Sequence, residues 1–154
     1  MTFEEIEKNE TIRAYISKAD ESLVALGYTE HSFAHVTHVA AMAGYLLETL
    51  GYNAHTVELA KIAGYLHDIG NLVNREEHAQ SGAVMAFRLL DHLHMDPLDI
   101  AEVVTAIGNH DEGTGTPVSP MAAAFWRTNP TSAAAGCATR TSASLISMTG
   151  STIR

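Results

Sequence analysis

Residues 66–71 read LHDIGN. An apolar stretch gives way to an imidazole and a carboxylate side by side, His67-Asp68, and then almost at once to a glycine, Gly70. Adjacent residues on a continuous helix point about 100° apart, so the pair serves one site only if that site lies at the helix end. The spacing upstream predicts such a helix. Val57, Leu59, Ile62 and Leu66 form its apolar stripe, and Asn53 is its candidate N-cap.

Working outward, the same period recurs. Residues 3–27 read as helical with a break, through Ile12, Ile16, Leu23 and Leu26, with Gly27 as a stop. A second helix is expected from about His31 to Leu50, with Val36, Val39, Ala40, Ala43, Leu46 and Leu47 on one stripe and Gly51 ending it. Downstream, a helix is expected over 76–93, and another opens at Asp96-Pro97, a cap followed by a first-turn proline, and runs to Asn109. The stretch DEGTGTPVSP, residues 111–120, is a loop by composition. No strand, hairpin or repeat is evident. The expected class is all-α, a bundle of about five core helices.

The 154 residues suit one core. No apolar run approaches the roughly 18 residues of a membrane span, and the acidic N-terminus MTFEEIEKNE has no secretory core. The single cysteine, Cys137, excludes an internal disulfide. These features predict a cytoplasmic protein without a membrane partner. The net charge of −9 argues against duplex nucleic acid as a partner, because phosphate backbones need a basic face. A small phosphorylated substrate is compatible with an acidic body if bound cations make the site locally positive.

Nine histidines are present. A lone histidine is usually solvated or hydrogen-bonded, and His31, His38, His55, His92 and His94 are read so. His35, His67, Asp68, His78 and His110 form a different set, since four helices each bring one of these positions at or near an end. Imidazole and carboxylate donors suit Mn, Fe, Co, Ni, Zn or Mg, and ligand type alone does not select among them. Gly82, one turn after His78, leaves room for close approach.

With HVTHVA at 35–40, HAQSG at 78–82 and NHDEGTGTP at 109–117 around the His-Asp pair, residues 30–120 resemble the HD superfamily of metal-dependent phosphohydrolases. The downstream motifs are similar to two branches: hydrolases that split dinucleoside polyphosphates, and HD-GYP cyclic-dinucleotide phosphodiesterases. The resemblance implies an HD-type helical bundle holding divalent metal ions, expected to be two. It assigns His35, His67 and Asp68 to one ion and His78 and His110 to the other, with Asp68 as the bridge. His67 and Asp68 are then the catalytic pair. The implied reaction is hydrolysis of a phosphoester or phosphoanhydride in a small nucleotide-like substrate by a metal-activated water, and a homodimer is compatible with it. Many relatives carry Lys after the His-Asp-Ile-Gly stretch, where this chain has Asn71. Asn71, Arg75 and Asn109 are the candidate substrate contacts, with Arg75 the candidate for phosphate. Asp111 and Glu112 are read as solvated loop acids. Asn109 stands where the HD-GYP pattern has the first of two paired histidines, and the Tyr of that pattern is absent, which lowers the cyclic-dinucleotide reading.

The chain changes character after Glu112. All 18 acidic residues precede residue 113, and the stretch 125–154, FWRTNPTSAAAGCATRTSASLISMTGSTIR, is dominated by Ser, Thr, Ala and Gly. The expected division is a phosphohydrolase domain at 1–120 and a poorly ordered tail at 121–154. The resemblance implies one further Asp ligand in an apolar-Ala-Asp-Lys segment, and no Asp follows Asp111. Read two bases out of frame, the codons of Phe125-Trp126 dictate Leu, a CGN codon for Arg127 gives Ala, and the next codons allow Asp and Lys. The tail is therefore read as frameshifted. Two rival readings follow: a metal- or nucleotide-binding domain impaired by loss of its final Asp, and a helical bundle with incidental histidines.

Overall fold

The computed structural model describes residues 1–27 and 33–110. The loop expected at 111–120, the tail at 121–154, Asp111, Glu112 and His31 lie outside the described residues. Those described are all-helical: α1 (Phe3–Glu7), α2 (Glu10–Ala25), α3 (Phe33–Thr49), α4 (Ala54–Leu66), a 3-10 turn (Ile69–Leu72), α5 (His78–His92) and α6 (Pro97–Gly108). No strand occurs among them.

The break expected in the first segment falls at Lys8-Asn9. Asn9 caps α2 by accepting from the Ile12 amide at 3.1 Å, while Thr2 and Glu5 close a capping box on α1. Asn53 caps α4 through the Thr56 amide, 2.9 Å away. Asp96 caps α6 directly ahead of Pro97. At the end of α3, Gly51 takes φ +82° and lets the Tyr52 amide reach back to the Leu47 carbonyl at 3.0 Å, a Schellman closure open to few residues other than glycine.

The central element is α4, which packs on α1, α3 and α6. Its sequence AHTVELAKIAGYL buries Val57, Leu59, Ala60, Ile62, Ala63, Gly64, Tyr65 and Leu66, so it is apolar nearly all round, as a core helix must be. Two glycines let backbones meet. A Cβ on Gly64 would lie 2.6 Å from Ala40 Cα, which sets the α3–α4 approach. A Cβ on Gly70 would lie 2.0 Å from the His78 carbonyl oxygen and 2.5 Å from the Gly82 nitrogen, so the 3-10 turn rests directly on the first turn of α5. Gly82 completes this contact, its own Cβ position being 3.2 Å from Gly70 N and from the His67 carbonyl oxygen. No described helix is long and apolar enough to cross a membrane.

Candidate metal centre

His67 is the C-cap of α4 and Asp68 the first residue beyond it, at the head of the 3-10 turn. The pair therefore stands at a helix end. His35 comes from the first turn of α3, His78 opens α5, and His110 follows the C-cap of α6, Asn109. Just before His78, Glu77 adopts φ 54°, a left-handed turn uncommon for a non-glycine residue, from which α5 starts abruptly. His67, Asp68, Asn71, His78 and His110 are all buried, and His35 is partly so.

The five side chains converge. Asp68 Oδ2 is 3.2 Å from His67 Nε2 and 3.5 Å from His35 Nε2. Asp68 Oδ1 is 3.3 Å from His78 Nε2 and 3.9 Å from His110 Nε2. Two groups result, His35–His67–Asp68 and Asp68–His78–His110, each with donor atoms close enough to hold a metal ion. They share the one carboxylate and use different oxygens of it.

The backbone sets the tautomers. His67 Nδ1 is 2.8 Å from the Gly64 carbonyl, His78 Nδ1 3.1 Å from the Arg75 carbonyl, and His110 Nδ1 2.6 Å from the Ile107 carbonyl. A carbonyl only accepts, so Nδ1 carries the hydrogen in all three, and the lone pair of the neutral ring is on Nε2. Each of these carbonyls lies three residues upstream, at a helix end or turn. His78 Nε2 and His110 Nε2 are 3.2 Å apart; two lone pairs at that distance call for a cation or a proton between them. Nitrogen and oxygen donors in this form suit first-row divalent ions.

The titration behaviour differs across the cluster. Burial lowers the pKa of His110 to about 4, with help from the neighbouring His67 charge, so its imidazole stays neutral. Burial also works against a proton on His67. The Asp68 carboxylate and the Gly64 carbonyl outweigh it and raise the pKa of that group.

The three expected substrate contacts have definite partners. Asn71 is buried, and its amide nitrogen donates to the Asp68 carbonyl at 2.9 Å and to Asp68 Oδ1 at 3.1 Å. Arg75 Nη1 donates to Asn71 Oδ1 at 3.4 Å and lies against His78. Asn109 donates back into α6, to the Thr105 carbonyl at 2.8 Å. Asn71 and Arg75 are thus wired to the cluster, and Asn109 is turned into its own helix. The other described histidines stand apart from the cluster. His38, His92 and His94 are exposed, and His55 bonds Asp99 at 2.7 Å between the starts of α4 and α6. Sequence reasoning did not find the contact at Gly70 or the bond from Asn71 to Asp68. A glycine directly after His-Asp-Ile was the signal available for the first.

The sequence profile of the HD domain matches residues 32–141, more than half of the chain. The chain belongs to the HD domain family. Among curated proteins, this HD protein is 34% identical over 98 residues to ribonuclease Y of Lawsonia intracellularis, covering 62% of this chain and 17% of the ribonuclease. It is 26% identical over 135 residues to an uncharacterized protein of Methanocaldococcus jannaschii, covering 73% of this chain and 52% of that protein. The HD chain therefore spans a small part of one relative and about half of the other. No solved structure matches it. The HD match continues past residue 120, the domain boundary expected from composition.

Proposed function

We propose that this HD protein is a metal-dependent phosphohydrolase in which Asp68 bridges two divalent ions, one held with His35 and His67 and the other with His78 and His110. The observation that carries the reading is the division of the Asp68 carboxylate, with Oδ2 facing one pair of imidazoles and Oδ1 the other. Ions bound there would polarise a phosphoryl oxygen and lower the pKa of water enough for it to attack phosphorus at neutral pH. The chain's own part is to hold the donors. The carbonyls of Gly64, Arg75 and Ile107 keep three rings in the ligating tautomer. Asn71 holds the bridging residue through its carbonyl and Oδ1, a support that ligating carboxylates commonly need. Arg75, partly exposed beside His78, is positioned to meet a phosphate entering the cluster.

The substrate class is a small phosphoester or phosphoanhydride, nucleotide-like in size. The acidic chain, with net charge −9, supports a small substrate over a duplex. The similarity to a ribonuclease adds single-stranded RNA oligonucleotides to the compounds worth assaying. The second reading is a metal- or nucleotide-binding domain of reduced activity. It rests on the absence of any acidic residue after Glu112, which leaves the His35–His67–Asp68 group without the further Asp ligand the family resemblance implies.

The test is metal analysis of the purified protein, followed by nucleotide, dinucleotide, phosphodiester and RNA substrates with Mn, Fe, Co, Ni, Zn and Mg. Two ions per chain and turnover of at least one class are expected. Absence of bound metal under all conditions would sink the first reading and the metal-binding form of the second; metal without turnover would favour the second.

A further inference from the structure

Arg75 Nη1 is 3.1 Å from Nε2 of His78 and 3.4 Å from Nδ1 of the same ring. The two ring nitrogens flank one carbon, so near-equal distances place the guanidinium against the face of the imidazole, out of line with either lone pair. Nδ1 is satisfied by the Arg75 carbonyl. The in-plane lone pair of Nε2 is left to the side where Asp68 Oδ1 and His110 Nε2 lie. The guanidinium is held there by its second acceptor, Asn71 Oδ1. The ring of His78 therefore carries a fixed positive charge on its face and a metal-directed lone pair at its edge.

Resting on the two-ion reading above, we propose that Arg75 makes the two metal positions unequal, so that the Asp68–His78–His110 position is the weaker and fills second. An ion on His78 Nε2 would stand within about 5 Å of a guanidinium that cannot lose its charge. Asn71 acts on the same position through Asp68. Asp68 Oδ1, the oxygen facing this position, also accepts from Asn71 at 3.1 Å, and a hydrogen-bonded oxygen has less electron density to give an ion. Oδ2 faces His35 and His67. The charge at Arg75 favours an anion at the same place, which suits a position completed as phosphate arrives.

The experiment is a calorimetric Mn²⁺ titration of the full chain after chelator treatment, comparing the parent with Arg75→Met, Arg75→Lys and His78→Ala, with thermal melts to check folding. The parent should take two equivalents in two steps. In Arg75→Met the second step should tighten by at least about tenfold, with the first step within about threefold. Arg75→Lys, which keeps the charge, should stay close to the parent. His78→Ala should remove the weak step and keep the tight one. Two steps of unchanged affinity in Arg75→Met, or loss of the tight step in His78→Ala, would overturn the role of Arg75 while leaving the two-ion centre intact. Fewer than two equivalents in both parent and Arg75→Met would overturn the two-ion reading and the role of Arg75 with it.

Discussion

Asn71 and Asp68 are joined twice: one amide nitrogen donates to the Asp68 carbonyl at 2.9 Å and to its Oδ1 at 3.1 Å. Both bonds of that buried amide nitrogen go to one residue. Asn71 therefore acts on the carboxylate that faces four imidazoles. Asn71→Ala should cost about 1–3 kcal/mol of stability and about 10–100-fold in metal affinity, read by thermal melts and by metal titration. If Asn71 instead contacted substrate, the variant would bind metal normally and show only a raised KM.

Asp68 serves both donor groups, so its loss should strike both. Asp68→Ala should abolish metal binding, and His67→Ala should do the same for its own position, while His92→Ala, on an exposed ring at the far end of α5, should keep parental stoichiometry. Elemental analysis of the three proteins decides the matter. Equal metal content in Asp68→Ala and the parent would remove the bridging role.

Gly70 and Gly108 offer a contrast in cost. A methyl on Gly70 meets backbone at 2.0 Å and 2.5 Å, which cannot move without displacing His78 and α5. At Gly108 the nearest neighbour of a new Cβ is Ala83 Cβ at 3.6 Å, an ordinary contact. Gly70→Ala should destabilise by about 3 kcal/mol or more and lose metal. Gly108→Ala should be within about 1 kcal/mol of the parent. Chemical denaturation of both proteins tests this.

The metal-free protein should lose stability in mild acid through His110. Its folded pKa is lowered to about 4 from an unfolded value near 6.5, so the folded state binds fewer protons between those values. The stabilisation is complete above the unfolded pKa and is lost as pH falls toward the folded one, a loss of roughly 3 kcal/mol at most. His67 works oppositely. Its pKa is raised, so its stabilisation is present below the unfolded value and lost as pH rises through the folded one. Comparing His110→Gln with the parent in chelator isolates the first effect: the slope of stability against pH between 4 and 6.5 should flatten in the variant.

The tail offers a test of the final ligand that the family resemblance implies. A version with the shifted frame restored, carrying Leu-Ala-Asp-Lys in place of residues 125–128, should bind metal more tightly than the chain as written, because a divalent ion gains an anionic ligand. Equal affinity and turnover in both versions would place the missing ligand elsewhere, with Asp111 and Glu112 the first residues to substitute.

Local signals were enough for the helices. Caps at Asn53 and Asp96, a stop at Gly51 and apolar stripes of helical period mark segments whose hydrogen bonds are satisfied within a few residues, so neighbouring sequence decides them. The ordered set of His35, His67-Asp68, His78 and His110 was likewise visible, because each falls at or near a helix end. Which carboxylate oxygen faces which imidazole was not, nor that Asn71 holds Asp68 and Arg75 lies on the face of His78. Those relations depend on how closely α3, α4, α5 and the 3-10 turn approach, and that spacing is set by Gly64 against Ala40 and Gly70 against His78 and Gly82. Close backbone contact between distant segments leaves no periodic trace in a chain; it exists only once the segments are packed.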